Sequence, residues 1–209
     1  MKSEMGFSLI ELLIVVAILG VAVSLALPSY TATLASNKVK ATAESILAGL
    51  RQARSSAIQR NAPVRFQLVS SLNSTCILSA TSAQWVVTET DQVARGDPVG
   101  KCDMDPWSPP DPCVDSGAHS CTSDPFILTK SSIAASGNVT VNADQPIVVF
   151  SPIGRVLEDL VTGYAANAMT VVQVRSSVAA AKQWDVRVSP NGSIKICDAQ
   201  AAAGGANAC

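Results

Sequence analysis

The run FSLIELLIVVAILGVAVSLAL, from Phe7 to Leu27, constrains this chain more than any other feature. As a helix it rises about 31 Å, enough to cross the hydrocarbon core of a bilayer. Only Ser8, Glu11 and Ser24 interrupt it with polar side chains. Glu11 is the anomaly, because an acid at the centre of a membrane helix costs about 2.5–3.5 kcal/mol on insertion scales and is usually retained for a function. Ahead of the run, Lys2 in the short leader MKSEMG favours a cytoplasmic start. A cleaved secretory signal ending in the small-x-small stretch Ser24, Leu25, Ala26 is the plainest alternative. Against it, Glu4 offsets Lys2 and Glu11 invades the apolar region. A simple single-span anchor also leaves Glu11 without a purpose.

Beyond Pro28 the helical pattern resumes. Val39, Ala43, Ile46, Leu50, Ala53 and Ala57 recur at steps of three and four, an apolar stripe with Lys40, Gln52 and Gln59 off it. The stop signal Asn61-Ala62-Pro63 ends the helix near Arg60. Residues 7–60 thus read as one helix of about 80 Å, broken or bent at Pro28. Residues 7–28 are the membrane-length half, and 29–60 are the amphipathic half that packs a head. Beyond Pro63 the period switches to two. VRFQLV, WDVRV and SIKI alternate, TCILSA, QWVVTE, NVTV, PIVVF and MTVVQVR are short β-rich runs, and Ser189-Pro190-Asn191-Gly192 reads as a hairpin turn. The expected class is α+β, a long helix against one mostly antiparallel sheet in a head spanning 61–209.

All six cysteines (Cys76, Cys102, Cys113, Cys121, Cys197, Cys209) follow the apolar run, and no C-x-x-C pair occurs. That placement points to disulfides in an oxidising compartment. Of fifteen connectivities, sequence proximity favours Cys76 with Cys102, Cys113 with Cys121, and Cys197 with Cys209, the last tying down the tail 197–209. Residues 91–125 break the strand pattern with six prolines, three cysteines and seven acids against two bases, and read as an exposed acidic insertion. A zinc site from Cys102, Cys113, His119 and Cys121 is possible in principle, but oxidised cysteines are favoured in an exported loop, and calcium on Asp103, Asp105, Asp111 and Asp115 lacks the spacing and glycine of an EF-hand loop. With one histidine, no G-x-S-x-G elbow and no phosphate-cradling loop, neither catalytic residues nor a cofactor or metal are expected. The balance of 15 basic to 16 acidic side chains gives no global attraction to nucleic acid.

The stretch Gly6-Phe7-Ser8-Leu9-Ile10-Glu11, behind a short polar leader and ahead of an apolar run, closely resembles the class III signal of type IV pilins and pseudopilins. The resemblance implies that residues 1–6 are a leader, and that a prepilin peptidase cuts between Gly6 and Phe7 and leaves the helix in place. Phe7 is then the N-methylated first residue. Its new α-amino group needs a partner in low dielectric, which Glu11 of a neighbouring subunit supplies during assembly. The implied location is a single pass in the inner membrane, N-terminus cytoplasmic and head periplasmic, and after assembly the pilus at the cell surface. The implied partners are other minor pilins, the major pilin, the inner-membrane assembly platform and a tip adhesin.

Within that superfamily, Ile147-Val148-Val149-Phe150-Ser151-Pro152-Ile153-Gly154-Arg155 and Val188-Ser189-Pro190-Asn191-Gly192-Ser193-Ile194-Lys195-Ile196-Cys197 resemble the GspH/FimT branch, which includes minor pilins of the FimU and FimT kind and a secretion pseudopilin. The implied function is a minor pilin that helps to initiate a type IV pilus, at the tip. Two alternatives share the signal: a pseudopilin of type II secretion, and a DNA-binding pilin of the FimT kind. The latter resemble one another in a late G-R-x-R element. Gly192-Ser193-Ile194-Lys195 keeps one base of two, and Gly154-Arg155-Val156-Leu157 also lacks the second. DNA contact would fall to Arg187 and Lys195, with Asp185 and Asp198 beside them in sequence.

Overall fold

The computed structural model describes residues 8–90, 97–106, 125–132, 137–157, 168–202, 204–205 and 207–209. One helix, α1 (Leu9–Arg60), precedes nine strands: β1 (Val64–Val69), β2 (Gln84–Glu89), β3 (Phe126–Lys130), β4 (Val139–Ala143), β5 (Ile147–Phe150), β6 (Val156–Leu157), β7 (Val171–Ser176), β8 (Trp184–Val188) and β9 (Ile194–Asp198). They form two antiparallel sheets, ordered β3-β2-β1-β5-β6 and β4-β7-β8-β9.

The 52 residues of α1 give a helix of about 78 Å. It is helical across Pro28, so the expected break is not a boundary. Proline costs a helix one backbone hydrogen bond, a loss that a helix of this length tolerates. The C-terminus ends as the sequence dictates. Asn61 takes a left-handed φ of 50°, and the Ala62 amide donates to the Ala57 carbonyl at 3.3 Å, satisfying a carbonyl the helix leaves open.

All six stripe residues, Val39 to Ala57, are fully buried. The stripe lies against two sheets rather than the one expected, contacting β1 and β2 on one flank and β7, β8 and β9 on the other. Gly49 permits the close approach. A Cβ there would stand 2.8 Å from the rings of Phe66 and Trp85, which lie 5.7 Å apart, and the Trp85 indole donates to Ser45 Oγ at 3.2 Å. Around this seam Phe66, Leu68, Val87, Val148, Phe150, Val172, Val174, Val186 and Val188 complete the core.

β1 departs from simple alternation, since all six of its residues are buried, Arg65 and Gln67 included. It is the central strand of its sheet, covered on both faces. On its outer side Val69, Val86 and Ile127 pack with Cys76 and Cys102, which are joined by a disulfide, as a second small core. TCILSA contributes only an isolated bridge, Val69 to Leu78, and no strand. A second disulfide joins Cys197 to Cys209 and folds the tail along β9, where the Asp198 amide donates to the Asn207 carbonyl at 2.7 Å. Cys113 and Cys121 lie outside the described residues, as does most of the insertion 91–125.

Candidate assembly site

The first turns of α1 leave the head with their apolar side chains uncovered. Leu9 is 78% exposed, Ile18 63% and Val21 62%, and every described side chain from Leu9 to Val23 is exposed. An 18-residue window has mean hydropathy 2.8 with none of it buried, long and apolar enough to cross a membrane. Monomeric soluble proteins seldom expose so large a contiguous apolar surface; it demands lipid or other helices as cover. Glu11 sits in the first turn, where the unpaired amides of a helix start favour an acid. It is the only charged residue between Phe7 and Lys38. Gly6 and Phe7, the expected cleavage and methylation positions, lie outside the described residues.

At the other end of α1 two turns of the same S-P-x-G sequence lock the helix to the head. In Ser151–Gly154 and Ser189–Gly192 the glycine amide donates to the serine carbonyl at 2.8 Å, and the glycines have φ of 76° and 80°. The turns press together: a Cβ on Gly192 would stand 1.8 Å from the Gly154 carbonyl oxygen. Arg54 Nε donates to that same oxygen at 3.0 Å, and the Val156 amide donates to the Pro190 carbonyl at 3.1 Å. The sequence offered the repeated S-P-x-G as a signal, but nothing in it singled out Arg54.

Of the metal candidates, only Cys102, Asp103 and Asp105 fall among the described residues. Cys102 is committed to its disulfide, so its sulfur is no thiolate for zinc. Lys130 Nζ donates to the carbonyls of Cys102, Asp103 and Met104 at 3.4, 3.1 and 3.0 Å, tying this loop to β3. Asp105 is exposed, while Asp111, Asp115 and His119 lie outside the described residues.

Arg187 and Lys195 are brought together. They are directly opposed partners across β8 and β9, both exposed on the outer face of the four-stranded sheet. Asp185 shares that face but is buried and engaged, its Oδ1 lying 2.6 Å from Arg175 Nη2 and its Oδ2 3.9 Å from Cys209 Sγ. Asp198 is an odd number of residues from Lys195 on β9, so it belongs to the opposite face.

An uncovered apolar helix with one acid, carried on a buried helical stripe in an antiparallel β head, defines a pilin-like protein. Residues 42–192 match the family model described as type II transport protein GspH, and residues 1–27 match the prokaryotic N-terminal methylation motif. The first match spans more than half of the chain, which therefore belongs to the GspH family of minor pilins and pseudopilins. The motif implies processing by a prepilin peptidase and use of pilin assembly machinery, and is consistent with membrane anchoring before assembly. The chain is also similar to two crystal structures of the type IV minor pilin FimU from Pseudomonas aeruginosa PAO1. In space group P21 the TM-score is 0.45 at 12% identity, covering 79% of this chain and 95% of that one; in P65 it is 0.39 at 12%, covering 78% and 98%. No curated protein matches the sequence.

Proposed function

We propose that this chain is a minor pilin that helps to initiate type IV pilus assembly from the inner membrane and resides at the filament tip. The observation that carries the reading is Glu11, a lone acid on an otherwise uncovered apolar helix. Cleavage between Gly6 and Phe7 creates a cationic α-amine four residues from that acid. Each buried charge is costly alone, and pairing them between subunits offsets both. Apolar packing then supplies the attraction and the ion pair sets the register. The other minor pilins, the major pilin, the assembly platform and a tip adhesin are the partners this role requires.

Deletion of the gene tests the reading. Surface pili should be lost or sharply reduced while the major pilin still accumulates in the membrane, and N-terminal mass analysis should find residues 1–6 gone and a methyl group on Phe7. Normal piliation would sink the pilus role, and a mature start at Leu27 would establish an ordinary signal peptide. Normal pili with lost protein secretion would assign the chain to type II secretion, whose pseudopilins share the assembly physics.

A further inference from the structure

Arg187 and Lys195 face each other directly across an antiparallel pair, an arrangement that like charges disfavour. Among the described residues neither forms a hydrogen bond or an ion pair, and the acids of this end of the sheet are engaged elsewhere. Asp185 is held by Arg175, and Asp144, beyond the Thr170 end of β7, accepts from the amides of Thr170 and Val171 and from the Thr170 hydroxyl. The two cations border a hollow of about 460 Å³, whose walls also include Thr170, Gln173, Ser189 and Asp185, the last with its charge already met by Arg175. Val171 is the register partner of Arg187, so an apolar side chain stands beside the charged pair.

We propose that this hollow receives an acidic segment from the head of a neighbouring filament subunit, an Asp or Glu carboxylate lying between Arg187 and Lys195 with its backbone along β7 and β8. The proposal rests on the filament-subunit reading. Charge complementarity selects the occupant: the site offers two uncompensated donors of the kind that bind carboxylates, within a sheet face otherwise neutral or self-paired. A nucleic-acid strand is the poorer fit. Its affinity grows with the number of phosphates neutralised, and two cations support only a shallow, salt-sensitive contact. A subunit held in a filament by its helix meets its neighbour's head at high effective concentration, so a two-cation contact suffices to choose the neighbour and its orientation.

Zero-length crosslinking tests this in cells carrying the full-length protein. Carbodiimide condenses the Lys195 amine with a carboxylate in contact, the departing oxygen leaving with the reagent as a urea, and mass spectrometry of membranes and sheared filaments locates the amide. The expected product joins Lys195 to an Asp or Glu in a peptide of another subunit. Lys40 and Glu44, 3.7 Å apart within the chain, supply the internal control. Lys195→Arg should abolish the link and keep the filaments, whereas the double reversal Arg187→Glu, Lys195→Glu should cut filament number by about tenfold or more. Formation of the Lys40–Glu44 link without any intersubunit link at Lys195 overturns the proposal. So does retardation of duplex DNA by the full-length protein at physiological salt that the double reversal abolishes, because the face then reads phosphate. If deletion removes the pili but the doubly reversed protein restores them fully, the docking site fails and the filament reading stands. A normally piliated deletion strain overturns both.

Discussion

Gly192 shows how a single hydrogen atom decides whether helix and head can lock. Its φ of 80° lies where any L side chain is strained by about 1–2 kcal/mol, and its missing Cβ leaves room for the Gly154 carbonyl that Arg54 also grips. Gly204 provides the comparison, with φ of 87° and nothing within 4 Å of a built Cβ. We therefore expect Gly192→Ala to lower the melting temperature well beyond Gly204→Ala. The first must also separate the two turns, while the second carries only the backbone strain, worth about 2–8 °C in a chain of this size. Equal shifts in thermal unfolding would show that the stacked turns bear no load. Gly49 follows the same logic without strain. Gly49→Val would drive methyl groups into Phe66 and Trp85 and should cost about 1–3 kcal/mol by overpacking, read by denaturant unfolding.

Among the elements, those with their own periodicity were legible and those made by distant context were not. VRFQLV, QWVVTE and WDVRV are strands over the residues their patterns mark, and the helix ends at Arg60 because Asn61 and Pro63 leave it no continuation. β3 follows a proline-rich stretch that hid it. β6, two residues long, exists because the Ser151–Gly154 turn returns the chain to β5. TCILSA has strand composition, yet the disulfide at Cys76 fixes it in the second small core. Asp185 reads as an exposed position in an alternating strand and is buried, because Arg175 and the tail cysteine cover it. The tail clamp is itself testable. The bond between Cys197 and Cys209 closes a 12-residue separation and should contribute on the order of 3 kcal/mol by chain-entropy estimates. Cys197→Ser and Cys209→Ser should destabilise about equally, and the double variant no more than either single, since one bond is lost in each case. Additive losses in denaturant unfolding would mean that the cysteines act through separate contacts.

On the scale of the whole molecule the chain divides its stability from its association. The head closes over a buried stripe that begins at Ala35, while no described residue of α1 before it is buried and the apolar turns must find their cover elsewhere. This division was readable from hydropathy alone; the pairing of Arg187 with Lys195 was not, because cross-strand register depends on the hairpin at Ser189–Gly192. Glu11→Val tests the division at its most exposed point. Removing the carboxylate takes away the costly charge, so the variant should enter the membrane at least as well as the parent. Cleavage after Gly6 should continue, because the substitution lies beyond the proposed scissile bond. Docking should fail instead. The neighbouring subunit's α-amine at Phe7 would be buried without a partner, a loss of roughly 3 kcal/mol or more, equivalent to about a hundredfold or greater in assembly. The expected result is processed, membrane-resident protein that neither co-purifies with partner pilins nor restores pili to a deletion strain. Parental piliation by Glu11→Val would remove the pairing role, and the acid would then be explained by what it does to the helix in the bilayer, such as easing its extraction into the filament.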